Sequence, residues 1–384
     1  MSRPGDGGLL EGLTGLTGEI DLTNADDHRR VRDLADQLLA QPASAPDELL
    51  RTLAADEAEP LDARVAAMLA RSKLALRRAR PSGTIAVIFA MWGEHHRLRP
   101  RTDDNPTGED ALRVKLDQLD WLLADSDLTW QLLPVDDGCP HGSASIASDM
   151  AAHHPLGDRV TVLSLPDALP AAAGPLAGLA SADDSRKGGA LILGAIHALA
   201  HDADAIVFTD ADNSVDLGQL GLLVEPWAAG TPVVLGGRKS GGAVLVKQED
   251  RWGPGIVVLR HLQRMVGRSI FSRGILDTQA AFKLYDREAT QTILDGASVY
   301  DFSVDTDWIL GAIDADLDIR RVPFAFIDSF AESASIAQGP MTTWESLLVG
   351  LVTAVRARDA EHDEGAAAVI DEFARADTLD LVVA

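Results

Sequence analysis

Two apolar runs in this chain end in paired carboxylates. After Val207, Phe208 and Thr209 come Asp210, Ala211 and Asp212. Two carboxylates spaced i, i+2 where a strand leaves a sheet can hold a hard divalent cation and leave positions open for phosphate oxygens. The same letters also suit an ordinary Asp/Asn turn. After Pro134 and Val135 come Asp136, Asp137, Gly138 and Cys139, with Ser143 a few residues on. A carboxylate here can accept hydrogen bonds from a nucleobase imide or ribose hydroxyls. The plainer alternative is an Asp-Gly turn with Ser143 as helix cap. Arg186, Lys187, Gly188 and Gly189 open a third segment. Cations and glycines at a helix start suit a diphosphate, although the phosphate-loop spacing is absent. In a fourth, Asp277, Thr278 and Gln279 precede an apolar strand carrying Lys283, and Asp301, Asp305 and Asp307 crowd a helix start downstream. Such carboxylates can act as a base or accept sugar hydroxyls, or simply favour the helix dipole. Cys139 has no partner base in reach of the pattern and reads as a loop residue.

These residues need a scaffold, and the apolar periodicity supplies one. Strands are expected over 84–90, 130–135, 160–165 and 205–209, with helices over 115–124, 143–150 and 188–200 between them. Residues 166–182 read as a loop. The second half is less regular, with strands at 232–236, 280–285 and 319–326. Helices are expected there at 255–271, 287–294, 305–313, 344–358 and 366–376. Strands alternating with helices predict a three-layer α/β domain with a largely parallel sheet, whose ligands sit at the carboxyl ends of the strands. Residues 1–80 read as a helical, partly disordered N-terminal region, 81–335 as the catalytic domain and 336–384 as a helical C-terminal segment.

Composition bounds the partners. Lys and Arg total 34 against 59 Asp and Glu, a net charge of −25. That balance argues against nucleic acid as the main partner and against a polybasic membrane-surface protein. With one cysteine there is no intrachain disulfide and no multi-thiolate zinc site. The first residues are polar, without a signal peptide pattern. The apolar run 347–355 is about half of what a bilayer requires. A cytoplasmic protein without a transmembrane segment, peripheral at a membrane at most, is the expectation. Homo-oligomers through the N- or C-terminal helices stay open.

Taken in order, the four segments resemble the family 2 glycosyltransferases of the GT-A fold. The nearest likeness is to the polyprenyl- and dolichyl-phosphate glucosyl- and mannosyltransferases. The family's Asp-Asp-Gly-Ser turn is similar to 136–143, its Lys-Gly-x-Ala helix start to 187–190 and its Asp-Ala-Asp metal motif to 210–212. Its Gly-Ser-Arg strand end is similar to Gly236, Gly237 and Arg238. Its Asp-Thr-Gln segment is similar to 277–285, with Ala280 and Ala281 in place of Cys-Gly. Its Phe-Asp-Val-Glu helix is similar to 302–305, and its Val-Pro strand to Val322 and Pro323. The ordered set covers roughly 250 residues and is far more specific than any single motif.

The resemblance implies an inverting, metal-dependent transfer of a sugar from a nucleotide-diphosphate sugar, UDP- or GDP-linked, to an acceptor hydroxyl or phosphate. The acceptor is a small molecule or a polyprenyl phosphate. Asp210 and Asp212 would position Mg²⁺ or Mn²⁺. Asp136, Asp137 and Glu94 would hold base or ribose, and Lys187 and Arg238 the diphosphate. Asp277 is the first choice of base, ahead of Asp305 and Asp307. An already anionic phosphate acceptor would make the base less necessary.

The chain also departs from the family. Ala90, Met91, Trp92, Gly93 and Glu94 stand where Pro-x-Tyr-Asn-Glu is usual. The loop 97–110 is long, a lid, an acceptor contact or a solvated loop. The C-terminal transmembrane helices of many lipid-linked synthases are not expected in this sequence. Arg260, Arg264 and Arg268 share one helix face and suit an anionic lipid head group, a phosphorylated acceptor or the protein's own acidic surface. The alternatives are a retaining transferase on a phosphorylated small acceptor, a sugar nucleotidyltransferase and a non-catalytic nucleotide-sugar binding protein. The nucleotidyltransferase would need a Gly-rich loop after the first strand, which 91–94 does not supply.

Overall fold

The computed structural model describes residues 9–42, 46–246, 256–297, 299–328 and 340–376. The helices are α1 Ala25–Ala40, α2 Pro46–Ala55, α3 Leu61–Ala79, α4 Ala111–Leu123, α5 Ser143–Ala152, α6 Leu165–Ala168, α7 Gly188–Ala200, α8 Gly221–Ala228, α9 Ile256–Val266, α10 Arg268–Phe271, α11 Arg287–Asp295, α12 Val304–Asp314, α13 Pro340–Ala357 and α14 Glu364–Ala376. The strands are β1 Ser82–Met91, β2 Asp127–Asp136, β3 Leu163–Ser164, β4 Ala205–Thr209, β5 Val233–Gly237, β6 Val244–Val246, β7 Phe282–Asp286, β8 Ile319–Pro323 and β9 Ala325–Ile327.

Seven strands form one sheet in the order β3-β2-β1-β4-β7-β5-β8. All neighbours are parallel except β7, which runs antiparallel to β4 and β5. This is the mixed, mainly parallel α/β arrangement expected from the sequence. Side chains alternate along each strand, and the alternation builds two cores. Val87, Phe89 and Val207 pack with α1 to α4 and α8 on one face. Ala86, Ile88 and Phe208 pack with α7, α12 and α13 on the other. The N-terminal helices are part of the first core: Gly221 at the start of α8 donates its N–H to Ser72 Oγ in α3 at 2.9 Å.

The antiparallel strand matters for the site. The carboxyl ends of β1, β2, β4 and β5 lie along one edge of the sheet. Because β7 is reversed, its beginning lies there too, with Phe282 opposite Thr209. The segment 277–281 is thereby delivered to the edge where Asp210 leaves β4.

Several expectations need correction. The strand at 160–165 shrinks to Leu163–Ser164: Ser164 turns to cap α6 through the Asp167 N–H, which ends it, and before Leu163 the pairing is reduced to an isolated bridge of Val160 to Leu132. The helix at 255–271 breaks at Gly267 into α9 and α10, and residue 255 lies outside the described residues. The strand at 319–326 is two strands: β8 pairs with β5, and β9 leaves the sheet to pair with β6. Helix α8, with Pro226 inside it, was not expected. Residues 1–8, which carry part of the expected N-terminal disorder, and the boundary at 335/336 lie outside the described residues. Among the described residues no helix is long and apolar enough to cross a membrane.

Candidate active site

At the edge of the sheet, Lys187 joins segments far apart in sequence. Its Nζ lies 3.0 Å from Asp210 Oδ1, just past β4, and 3.0 Å from Asp305 Oδ2 in the first turn of α12. Burial alone would lower the lysine's pKa, but the two carboxylates more than reverse this and raise it, so the ammonium is firmly charged. Its backbone is held at φ 79°, ψ −44°, a conformation that residues other than glycine rarely adopt. Two contacts impose it. Asp137 Oδ2 accepts the Lys187 N–H at 2.7 Å, and the Tyr300 carbonyl accepts N–H bonds from Arg186, Gly188 and Gly189 at 2.9, 3.0 and 3.3 Å. A Cβ on Gly188 would come within 2.4 Å of the Tyr300 carbonyl carbon, so only glycine fits.

This corrects the reading of 186–189 as a diphosphate cradle. The first amides of α7 serve Tyr300, and it is the Lys187 side chain that reaches the site.

Asp137 is buried and also accepts from Ser185 Oγ at 2.6 Å. Burial pushes its pKa up to about 6, against the pull of these hydrogen bonds. Asp136 accepts from the Cys139 N–H at 3.3 Å and is raised by burial; it shapes the turn next to Asp137.

Asp210 and Asp212 follow β4 as expected. The Asp210 side chain keeps 40% of its surface exposed. Asp212 Oδ1 accepts from Ser214 N–H at 3.1 Å, and its carbonyl accepts from the buried Lys115 Nζ. Among the described residues no cluster of three or more His, Cys, Asp or Glu is arranged as a metal cage. Two carboxylates, one of them solvent-facing, fit a cation that completes its shell with water and phosphate oxygens.

Beside them runs a buried ion network. Glu94 Oε2 accepts from Arg97 at 3.0 Å, and Arg97 lies 3.5 Å from Glu109. Glu109 in turn accepts the Asn213 N–H at 2.8 Å. Burial pushes Glu94 up to about 7; Arg97 opposes this and Asp212 adds to it. The loop 97–110 is therefore packed at its base. Arg97 is 5% and Glu109 1% exposed, so the solvated-loop reading does not hold for these two residues.

The carboxylates expected to supply a base are all occupied. Asp277 takes a two-pronged bond from Arg238, Nε at 2.9 Å and Nη2 at 2.7 Å, and a third from the Arg238 N–H at 2.9 Å. Burial raises its pKa, but Arg238 overcomes this and leaves it lowered. Asp305 is buried between Lys187 and Lys283, and these cations outweigh its burial and lower its pKa. Asp307 lies two residues further along α12, on the far side of the helix. It is buried against Arg358, just past the end of α13, with Arg358 Nε at 2.7 Å, and is not brought to the site.

Lys283, Lys115 and Glu109 were not among the expected site residues. Each left a signal: a lysine inside the apolar strand β7, a lysine on the Leu112/Leu116/Leu119 stripe of α4, and a carboxylate just before that helix. A buried lysine is uncommon without a carboxylate or carbonyl to hold it.

No family model matches the chain. A curated relative, the polyprenol monophosphomannose synthase of Mycolicibacterium smegmatis, is 28% identical over 201 residues, covering 51% of this chain and 66% of that protein. The match thus spans just under two thirds of the relative's length. It bears out the likeness to lipid-phosphate sugar synthases read from the motifs. Among solved structures, the chain is similar to glucosyl-3-phosphoglycerate synthase of Mycobacterium tuberculosis in complex with Mn²⁺, UDP-glucose and phosphoglyceric acid. There the identity is 16% and the TM-score 0.48, over 77% of this chain and 85% of that one. Mannosyl-3-phosphoglycerate synthase of Rubrobacter xylanophilus gives 14% and 0.45, over 74% and 77%.

Proposed function

We propose that this protein is an inverting glycosyltransferase that moves a sugar from a nucleotide-diphosphate sugar to a phosphate oxygen of its acceptor. One observation carries the acceptor class: Asp277, Asp305 and Asp307 are each tied to an Arg or Lys. A carboxylate so held is a weak proton acceptor, whereas a phosphate monoester is already anionic near neutral pH. The name of the curated relative, a polyprenol monophosphomannose synthase, supports the same acceptor chemistry.

Asp137, with Asp136 beside it, receives the ribose or base, and Glu94, held by Arg97, stands on the Asp212 side. Asp210 and Asp212 hold Mg²⁺ or Mn²⁺, which when bound neutralises charge on the departing diphosphate. Lys187 and Arg238 place fixed positive charge at the same edge. The acceptor phosphate oxygen attacks the anomeric carbon from the face opposite the diphosphate. The carbon–oxygen bond to the diphosphate breaks, and its electron pair leaves with the nucleotide. No proton is removed. Asp277 then positions Arg238, and Asp305 positions Lys187. In this reading residues 81–335 form the catalytic unit, flanked by the 1–80 and 336–384 helical segments, and the protein works in the cytoplasm.

The test is acceptor choice. With a panel of UDP- and GDP-sugars and Mn²⁺, a short-chain prenyl phosphate is expected to be glycosylated and the matching prenol not. Asp277→Asn is expected to lose about tenfold in kcat, since Arg238 is only loosened. Comparable turnover of the alcohol, or a loss near 10³-fold in Asp277→Asn that high pH restores, would return Asp277 to the role of base.

A further inference from the structure

The outer face of α9 has no role in the chemistry above, and it is unlike the rest of the surface. Val257 is 69% exposed and Val258 44%; Leu276, just after α10, is 54% exposed. Val257, Arg260 and Arg264 are spaced i, i+3, i+7 and so share one face of the helix. The inner face is anchored: Leu259 and Val266 are buried in the same core as Trp308 and Leu351. In a chain with 59 carboxylates, residues 256–276 contain Arg260, Arg264, Arg268 and Arg273 and not one Asp or Glu. Among the described residues Arg260, Arg264 and Arg273 make no ion pair, and Arg268 has only an exposed one with Glu361 at 3.3 Å.

We infer that this face, Val257, Val258 and Leu276 among Arg260, Arg264 and Arg268, docks on an anionic lipid bilayer. Arginines around exposed aliphatic side chains match the headgroup–acyl boundary, where long basic side chains reach phosphates and short apolar ones enter the boundary. Charge chooses the occupant. Net −25 repels an anionic surface as a whole, so contact requires a segment without carboxylates of its own, and 256–276 is one; Glu361 meets it at Arg268 and Asp363 at the Met265 carbonyl, the end of α9 away from Val257. Position adds a reason. Leu276 directly precedes Asp277, which holds Arg238 at the site. The inference deepens the proposed function by placing the phosphate acceptor in a membrane, and it rests on that reading for this step alone.

The experiment is flotation of the full chain with vesicles of phosphatidylcholine alone or mixed in equal parts with phosphatidylglycerol, at low and high salt. Binding is expected with the mixed vesicles only and is expected to weaken in high salt. Arg260→Glu/Arg264→Glu is expected to weaken it at least about 30-fold. Val257→Ser is expected to weaken it with little change in salt dependence. Both variants should keep the parent's melting temperature and its turnover of a water-soluble short-chain prenyl phosphate, because neither touches the site. Equal binding by parent and double variant, or no binding by the parent, would overturn the docking face. Turnover of the soluble acceptor would leave the proposed function standing in either case. A concentration-dependent dimer lost in Arg260→Glu/Arg264→Glu, without vesicle binding, would assign the face to a second copy and also overturn the inference.

Discussion

The two sides of the site treat their carboxylates in opposite ways. On the β1–β2–β4 side, Asp136, Asp137 and Glu94 are buried with pKa values pushed up, and Asp210 faces solvent. On the β7–α12 side, Asp277 and Asp305 are buried with pKa values pulled down, each against an Arg or Lys. The difference is whether a cation outweighs burial. Among the described residues none pairs with Asp136 or Asp137, and Arg97 beside Glu94 does not offset its burial, whereas Arg238, Lys187 and Lys283 overcome the burial of Asp277 and Asp305. A carboxylate whose cation prevails serves to orient it. Lys187 stands on the border, between Asp210 and Asp305.

The largest effect is expected where that contrast is sharpest. Asp212→Asn removes one of the two carboxylates proposed to hold the cation but leaves the Lys187–Asp305–Lys283 chain untouched. Turnover is expected to fall about 10²–10³-fold, and the thermal stabilisation by Mn²⁺ plus nucleotide sugar to disappear. The protein without ligand should still fold cooperatively with a modest loss of stability, because Asp212 Oδ1 holds the Ser214 turn and its charge is one of several beside Lys115 and Arg97. Unchanged turnover, or a stability loss equal to that of a core variant, would erase the distinction between the two sides.

How much of this was legible follows from the same contrast. The strand-end carboxylates were readable because a parallel sheet delivers strand ends to one edge whatever the details. The apolar runs around Val87, Leu132 and Val207 fix those strands. The cation partners were not readable, because each pair joins distant segments: Arg238 with Asp277, Lys187 with Asp305, Arg358 with Asp307. Sequence spacing carries no information about a contact made by an antiparallel strand returning to the edge. Asp305 and Asp307 looked equivalent as neighbours, yet a helix turns about 200° over two residues. One therefore reaches the site and the other packs against α13. The misread strands failed for local reasons, a Ser164 cap and a change of partner at Phe324. Helix α8 was hidden by Gly221 and Pro226.

Asp307→Asn checks the far side of that turn. Removing one member of a buried pair leaves Arg358 uncompensated and is expected to cost about 3–5 kcal/mol of stability, read from urea unfolding. The kcat of the folded fraction should stay within about twofold of the parent. A kcat loss without a stability loss would bring Asp307 back into the chemistry.

The smallest expected effect concerns protons, and there the two sides have opposite signs. Asp137 is raised from 3.8 to about 6 by burial. The folded protein holds that proton more tightly than the unfolded chain, so this group's contribution to stability is full below about pH 4 and is lost as pH rises through about 6. Asp277 and Asp305 are lowered by their cations. Their contribution is present above about pH 4 and is lost as pH falls further. Asp137→Asn should therefore flatten the stability profile between about pH 4 and 6 and leave the fall below pH 4 in place, while Asp277→Asn should soften that acid fall. Donor binding adds a functional reading, because a protonated Asp137 loses acceptor capacity. Calorimetric affinity for the nucleotide sugar is expected to decline below about pH 6, by about tenfold at pH 5. An affinity flat from pH 7 to 5 would detach Asp137 from the donor.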